Sequence, residues 1–150
     1  CLAAWNGDAF NDNQYASGTM GALGTNTYTG VCTRGSGTSG YHTWAQNGDT
    51  RFRKTVSGTT TELGSSATAW AANDVMRLES EGSTHRTTKN GTAYGASPYT
   101  DTAVTGGSAG PGGFGNGASK STITTLELGN LPIPSLMLRA AHPMAHMLVR

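Results

Sequence analysis

Polar and aromatic side chains fall on one face of two neighbouring predicted strands, where they could bind a sugar ring. His42, Trp44 and Gln46 alternate along the first strand, and Arg51 and Arg53 follow on the next. An aromatic ring packs against the C–H bonds of a sugar, while planar polar side chains hydrogen-bond its hydroxyl groups. The pattern therefore predicts a glycan-binding face. The alternative is that Trp44 packs in the core and its neighbours form an ordinary solvated surface, because large aromatic residues are mostly buried.

Side chains that could hold a metal ion are scattered along the chain. Calcium needs several oxygen ligands from converging loops, whereas acidic and amide side chains at turns usually hydrogen-bond their own backbone. His142 and His146 are four residues apart, but Pro143 disrupts the helix that would bring their rings together. We therefore predict no metal site and no cofactor. The acidic and amide residues near predicted turns are Asp8, Asp12, Asn13, Asp74 and Asp101.

The composition of the 150-residue chain indicates one folded, turn-rich β domain, with 35% hydrophobic residues, 13% charged residues and 22 glycines. The formal net charge of +1 creates no field that would concentrate a phosphate polymer, which argues against a nucleic-acid partner. No run of about 18 apolar residues is present, which argues against a membrane span. Because the chain starts at Cys1 rather than Met, we expect a processed product or part of a longer chain. Cys1 and Cys32 could form one disulfide bond or none.

Short runs with strand chemistry recur along the chain and are separated by turn residues. Residues 40–46 and 50–56 flank an Asn-Gly turn and predict a hairpin, which residues 59–63 extend as a third antiparallel strand. Residues 74–80 alternate apolar and polar side chains, and residues 121–128 are predicted to form a closing strand. This pattern predicts an all-β fold, an antiparallel sandwich or barrel.

Two segments depart from this pattern. Residues 106–117 are too rich in glycine for a helix and predict an irregular loop or an edge, not a phosphate-binding loop, because no helix follows. Residues 132–150 concentrate Leu, Met, His and Pro, and exposing them to water would be unfavourable. We predict a sandwich domain over residues 1–131 and a C-terminal docking arm over residues 132–150. The side chains expected to contact another subunit are Leu136, Met137, Leu138, Met144, Met147 and Leu148.

The segments also follow one another in a recognisable order: AWNGDAFNDNQYASGTM, TGVCTR, GYHTW, TRFRKTVSGTTTELGS, DVMRLESEG, YTDTAVTGGSAG and STITTLELGNL. This order, over residues 5–131, resembles the laminin-G-like branch of the concanavalin A-like lectin/glucanase superfamily. The most specific stretch is residues 54–82. The resemblance implies a jelly-roll β-sandwich of two antiparallel sheets, one of them concave and often used to bind glycans.

Two features differ from the family pattern. One or two strands that usually precede the part matching residues 1–5 are missing, so the sheet edge that they would cover is expected to be exposed, paired with another chain, or completed by chain outside this sequence. Residues 83–89 are polar where the family tends to alternate apolar residues. We therefore expect this strand at the edge of its sheet.

The glucanases of this superfamily use closely spaced acidic residues on one strand, because retaining hydrolysis needs two carboxyl groups about 5–5.5 Å apart. Glu79 and Glu81 have such a spacing, but the family's catalytic signature is absent and Glu81 precedes an expected turn at Gly82. We predict that the chain is not an enzyme and that these carboxylates face water.

By analogy with lectin-like sandwiches of this type, the chain is expected to be a non-catalytic structural or recognition module of an extracellular or virion-surface assembly, such as a phage capsid decoration or tail component. Its expected partners are protein subunits of the same assembly, as a homo-oligomer, and a cell-surface glycan. The alternatives are a free carbohydrate-binding lectin domain and a β-glucan hydrolase.

Overall fold

The computed structural model describes residues 10–24, 27–46, 48–115 and 121–132. Within these ranges the chain forms eleven strands in two antiparallel sheets, so the predicted two-sheet β-sandwich is confirmed. The strands are β1 (Gln14–Met20), β2 (Thr27–Ser36), β3 (Ser39–Gln46), β4 (Asp49–Val56), β5 (Thr59–Ser66), β6 (Val75–Glu81), β7 (Thr84–Lys89), β8 (Thr92–Ala93), β9 (Tyr99–Thr100), β10 (Ser108–Gly115) and β11 (Ile123–Asn130).

The two sheets differ in how their strands follow the sequence. The front sheet has the order β10-β2-β3-β4-β5, and the back sheet has the order β11-β1-β6-β7-β8, with β9 also paired to β7. All pairings are antiparallel. The front sheet therefore contains the predicted three-strand meander, while the back sheet joins strands from distant parts of the chain.

The predicted meander is confirmed in its strands and in its second, Ser-Gly turn, while Asn47 of the first turn lies outside the described residues. β3 and β4 pair from Gln46 opposite Asp49, and β4 and β5 pair from Val56 opposite Thr59. The second connection has positive φ at both central positions, 48° at Ser57 and 84° at the following glycine. Two positive φ angles match the twist of a tight antiparallel hairpin, which explains the Ser-Gly pair at this point.

The core lies between the sheets, and strands contribute alternate residues to it. In β6, Met76 and Leu78 are fully buried, whereas Arg77 and Glu79, which alternate with them, are only partly buried. Full burial of an apolar side chain such as Leu78 contributes about 1.5–3 kcal/mol. The apolar residues of the core are Ala16, Met20, Val31, Tyr41, Ala45, Phe52, Trp70, Met76, Leu78, Tyr94, Val104 and Ala109.

Strand β7 is not an edge strand, so that prediction was wrong. It pairs with β6 on one side and with the short strands β8 and β9 on the other. Its polar sequence is compatible with the interior because the inward side chains of His85 and Thr87 are hydrogen-bonded. The imidazole contacts Ser80 Oγ at 2.9 Å and the carbonyl oxygen of Asp101 at 3.1 Å, and the Thr87 hydroxyl donates to the carbonyl oxygen of Tyr94.

The glycine-rich segment forms an edge strand of the front sheet, which was one of the two predicted alternatives. β10 pairs with β2, and Pro111 lies opposite Val31. Proline lacks a backbone donor and is found in sheets mainly at such edges.

A buried arginine connects three segments at one end of the sandwich. Arg34 is 1% exposed, and its guanidinium donates to the carbonyl oxygens of Asp12 at 2.7 and 3.0 Å, Gly82 at 2.6 Å and Val104 at 3.1 Å. Its backbone N–H donates to the side-chain oxygen of Gln14 at 2.9 Å. Arg34 therefore holds the start of β1 and the β6–β7 turn against the segment that precedes β10.

Residues 133–150 lie outside the described residues. The docking role of the six arm side chains and the domain boundary after residue 131 therefore stay predictions. In the ranges that the structure describes, there is no helix of the length and apolarity that a membrane span requires.

Candidate functional site

The outer face of the front sheet carries the side chains singled out from the sequence. Alternate residues of β3 and β4 belong to the core, so His42 and Trp44 of β3 and Arg51 and Arg53 of β4 point away from it. The strand register places His42 opposite Arg53 and Trp44 opposite Arg51. We define the outer-face cluster as Tyr28, His42, Trp44, Arg51, Arg53 and Glu62.

Trp44 lies at the centre of this cluster. Its ring stacks on His42 with centroids 4.5 Å apart and an interplanar angle of 15°, and Tyr28 packs against it at 5.5 Å. The guanidinium carbon of Arg53 lies 5.0 Å from the centroid of the Trp44 ring. Trp44 is only 8% exposed and His42 is 2% exposed. Trp44 is therefore buried, as the alternative interpretation expected, but on the outer face of the sheet.

Ion pairs cover the aromatic part of the cluster. Arg51 pairs with Asp49 at 2.7 Å and with Glu62 at 3.2 Å, and Arg53 pairs with Glu62 at 3.3 Å. The two positive and two negative charges of this group cancel. The Arg51 and Glu62 side chains are 38% and 40% exposed, so solvent screens these pairs and each contributes at most about 1 kcal/mol.

His42 and Arg53 have buried nitrogen atoms without a hydrogen-bond partner in the described part of the chain. They are Nδ1 and Nε2 of His42 and Nε of Arg53. Burial lowers the pKa of His42 to about 3, and nearby positive charge, including that of Arg53, acts in the same direction. The imidazole is therefore neutral near pH 7 and offers one donor and one acceptor. Because an unpaired buried polar group costs about 1–3 kcal/mol, these atoms point to a partner that is external to the described structure.

Two residues of the cluster were missed from the sequence. Glu62 could have been found by counting outward from the Ser-Gly turn in both directions. Residues equally far from this turn face each other, and Glu62 is the partner of Arg53. Tyr28 could not have been found in the same way, because the register between β2 and β3 shifts between Thr33 and Ser36. Gln46 ends β3, but its side chain lies outside what the structure describes, and its predicted role stays a prediction.

The outer-face cluster adjoins a disulfide-bonded cysteine. Cys32 of β2 is the register partner of His42, and its sulfur is disulfide-bonded. The sequence had left the state of the cysteines open. Cys1, the other cysteine of the chain, lies outside the described residues.

The two glutamates considered for catalysis lie on the outer face of the back sheet. Glu79 accepts a hydrogen bond from Nε of Arg77 at 2.8 Å, and Glu81 accepts one from Arg86 at 2.8 Å. Each carboxylate thus has its own arginine partner. These contacts are ordinary surface ion pairs. In a retaining glycosidase, the two carboxyl groups would instead face one substrate as acid and nucleophile.

Asp12, Asp74 and Asp101 have structural partners, whereas Asp8 lies outside the described residues. Asp12 accepts from a backbone N–H at 2.7 Å, Asp74 pairs with Lys89 at 2.8 Å, and Asp101 pairs with Lys54 at 2.5 Å. Among the residues that the structure describes, no group of three or more His, Cys, Asp or Glu side chains could hold a metal ion.

The architecture is similar to that of several solved structures. The chain superimposes on sheep galectin-11 in complex with glycerol with a TM-score of 0.58 and 11% identity, covering 81% of this chain and 92% of the galectin. It superimposes on the carbohydrate-binding module CBM66 from Bacillus subtilis with a TM-score of 0.60 and 16% identity, covering 81% and 77% of the two chains. The fold is a concanavalin A-like β-sandwich.

This concanavalin A-like sandwich also occurs within a larger protein. The GH43 BlXynB protein from Bacillus licheniformis matches with a TM-score of 0.56 and 13% identity over 79% of this chain, but the match covers only 26% of that protein. No family model matches the sequence, and no curated protein matches it. Identities this low establish the fold, so any function must be argued from the outer-face cluster.

Proposed function

We propose that this concanavalin A-like sandwich is a non-catalytic carbohydrate-recognition module that binds a glycan on the outer face of its front sheet. The observation that carries the proposal is the outer-face cluster. There, Trp44 and Tyr28 adjoin hydrogen-bonding side chains, and the ring nitrogens of His42 have no hydrogen-bond partner in the described residues. Aromatic surface beside planar polar groups is the chemistry that a sugar ring requires. Two structural neighbours support a carbohydrate-binding role, since one is a carbohydrate-binding module and another is a galectin.

The accessible groups of the cluster would meet a glycan first. The side chains of Arg51, Arg53 and Glu62 are 38%, 21% and 40% exposed, whereas His42 and Trp44 are only 2% and 8% exposed. A glycan that binds here hydrogen-bonds the Arg53 guanidinium at the surface of the cluster. Any shift of Arg53 towards the glycan weakens its ion pair with Glu62, which is on the surface and worth at most about 1 kcal/mol, so this movement costs little.

Replacing Arg53 with alanine is expected to weaken glycan binding by at least about tenfold, because a charge-assisted hydrogen bond to a ligand contributes roughly 1.5–3 kcal/mol. The experiment screens the intact protein on a glycan array and then measures the strongest glycan by isothermal titration calorimetry with both proteins.

The matched control is Arg77→Ala. Arg77 also stacks on an aromatic ring, with its guanidinium carbon 3.8 Å from the centroid of Tyr15, and it also pairs with a glutamate. It lies on the back sheet, so this variant is expected to bind like the unmodified protein. Equal binding by Arg53→Ala, or an array without any bound glycan, would contradict the proposal.

We also propose that the module works in an extracellular or virion-surface assembly. The disulfide bond at Cys32 supports an oxidising environment, because such bonds persist mainly outside the reducing cytosol. In protein isolated from its native source and denatured under maleimide, Cys32 is expected to be labelled only after reduction, as read by mass spectrometry. Labelling of Cys32 before reduction would contradict this location.

A further inference from the structure

The charges and hydrogen-bonding groups of the outer-face cluster also restrict the chemistry of its ligand. We propose that the cluster binds a neutral sugar ring through adjacent hydroxyl groups and discriminates against carboxylated and sulfated sugars. This inference rests on the glycan-binding function proposed above and names the class of glycan for that same site.

The first argument is the balance of charge at the cluster. Arg51 and Arg53 are offset by Asp49 and Glu62 at 2.7–3.3 Å, and burial keeps His42 neutral near pH 7. These four charged side chains together therefore offer a ligand anion no net positive charge. The anion would also have to compete with Glu62 for both arginines, and its negative charge would be repelled by that of Glu62.

The second argument is the set of unpaired nitrogen atoms. The neutral imidazole of His42 needs one acceptor and one donor, and the Arg53 Nε–H needs an acceptor. Two adjacent hydroxyl groups can supply both kinds of partner, because each hydroxyl donates as well as accepts. A carboxylate or sulfate only accepts, so it leaves the unprotonated nitrogen of His42 without a donor.

The third argument is the position of the aromatic rings. Trp44 is only 8% exposed, so the accessible aromatic ring is the partly buried Tyr28, whose centroid lies 5.5 Å from that of Trp44. Trp44 in turn stacks on His42, with ring centroids 4.5 Å apart, so the unpaired nitrogen atoms lie near this aromatic surface. A sugar ring carries hydroxyl groups at its edge and C–H bonds on its face. It can therefore match both parts of the cluster in one orientation.

The experiment compares neutral oligosaccharides with their own sialylated, sulfated and uronic acid forms on one glycan array, followed by calorimetry on the best matched pair. The neutral member is expected to bind at least about tenfold more tightly than its anionic counterpart, because unpaired polar groups and like charges both act against the anion.

A charge variant tests the cause of this preference. Glu62→Gln removes the negative charge that pairs with both arginines, so the gap in affinity between the neutral and anionic members is expected to shrink, with the anionic form gaining affinity. The matched control, Glu79→Gln, removes a carboxylate that pairs with Arg77 on the back sheet. It is expected to leave the gap unchanged.

The outcomes separate the two proposals. Equal or tighter binding of the anionic members overturns the preference for neutral sugars and leaves the glycan-binding function intact. Glu62→Gln with an unchanged gap also overturns the inference, because the charge balance would not be its cause. Absence of binding to every glycan on the array overturns the function itself.

Discussion

Replacing Arg34 with methionine is expected to lower the free energy of unfolding by about 3–5 kcal/mol, because three buried or part-buried carbonyl oxygens lose their donor and a buried one costs roughly 1–3 kcal/mol. Arg34 donates to the carbonyl oxygens of Asp12, Gly82 and Val104 and is 1% exposed. Methionine has a similar length but donates no hydrogen bond, so it preserves much of the packing and removes the donors. Guanidinium chloride unfolding at pH 7 measures the change.

Two further variants make the Arg34 result specific. Arg34→Lys retains the charge, but a single ammonium cannot reproduce the planar fork that reaches three separate segments, so an intermediate loss is expected. Arg77→Met removes an arginine that is 30% exposed on the back sheet, and its effect is expected to stay below about 1 kcal/mol. A loss for Arg34→Met no larger than that for Arg77→Met would show that Arg34 does not hold the end of the sandwich together.

Acidification is expected to destabilise the fold between pH 6.5 and pH 4 because His85 is buried as a neutral ring. Its Nε2–H donates to the carbonyl oxygen of Asp101, which can only accept, so Nδ1 accepts from the Ser80 hydroxyl. Burial lowers the pKa of His85 from 6.5 to about 4, and the positive charge of Arg34 adds to the effect. The hydrogen bond to the Asp101 carbonyl oxygen and the Asp101 carboxylate, which is paired with Lys54, raise the pKa, but burial has the larger effect.

The sign of the pH dependence follows from these values. Above pH 6.5, His85 is neutral in both the folded and the unfolded state, so it does not change the stability with pH. Between pH 6.5 and about 4, the unfolded chain binds a proton that the folded chain excludes, so stability falls as the pH falls. At about 1.4 kcal/mol per pH unit, His85 accounts for a loss of about 3 kcal/mol across this window.

The measurement is urea unfolding at a series of pH values for the unmodified protein and for His85→Gln. Glutamine can donate and accept a hydrogen bond but does not titrate, so the pH dependence of this variant is expected to be flatter by about 3 kcal/mol between pH 7 and pH 4. His42, whose pKa is about 3, keeps its own contribution in both proteins. Parallel curves for the two proteins would show that His85 is not the cause.

The outer-face cluster was largely predictable because its signal is local. Alternation puts His42 and Trp44 on one face of β3, and the turn before β4 sets which residues of the next strand lie opposite them. The Ser-Gly turn after β4 specifies Glu62 opposite Arg53 in the same way. These relations depend on two strands joined by a short turn, so nearby residues are sufficient to specify them.

Tyr28 shows where this local reasoning stops. The register of β2 against β3 shifts between Thr33 and Ser36, and Arg34 has a φ of 53° within this irregularity. A shift of one residue moves every following side chain to the other face of a strand. Counting back from the β2–β3 turn alone would therefore have put Tyr28 in the core instead of beside Trp44.

The interior position of β7 could not be predicted from its own residues either. Its polar residues indicated an edge strand, but His85 and Thr87 are buried because Ser80, Asp101 and Tyr94 supply hydrogen-bond partners. Those partners come from β6 and from the chain that follows β7. A polar side chain can be assigned to the core only when its partners are known, and they depend on how the strands adjoin.

The sequence by itself determined an all-β chain, the main strands of the meander and the faces on which His42, Trp44, Arg51 and Arg53 lie, because alternation and tight turns act over a few residues. Only the tertiary structure decided the order of strands in the back sheet, the burial of Arg34 and His85, and the addition of Tyr28 to the cluster. These features depend on contacts between residues far apart in the chain and on one register shift, and neither leaves a local pattern in the sequence.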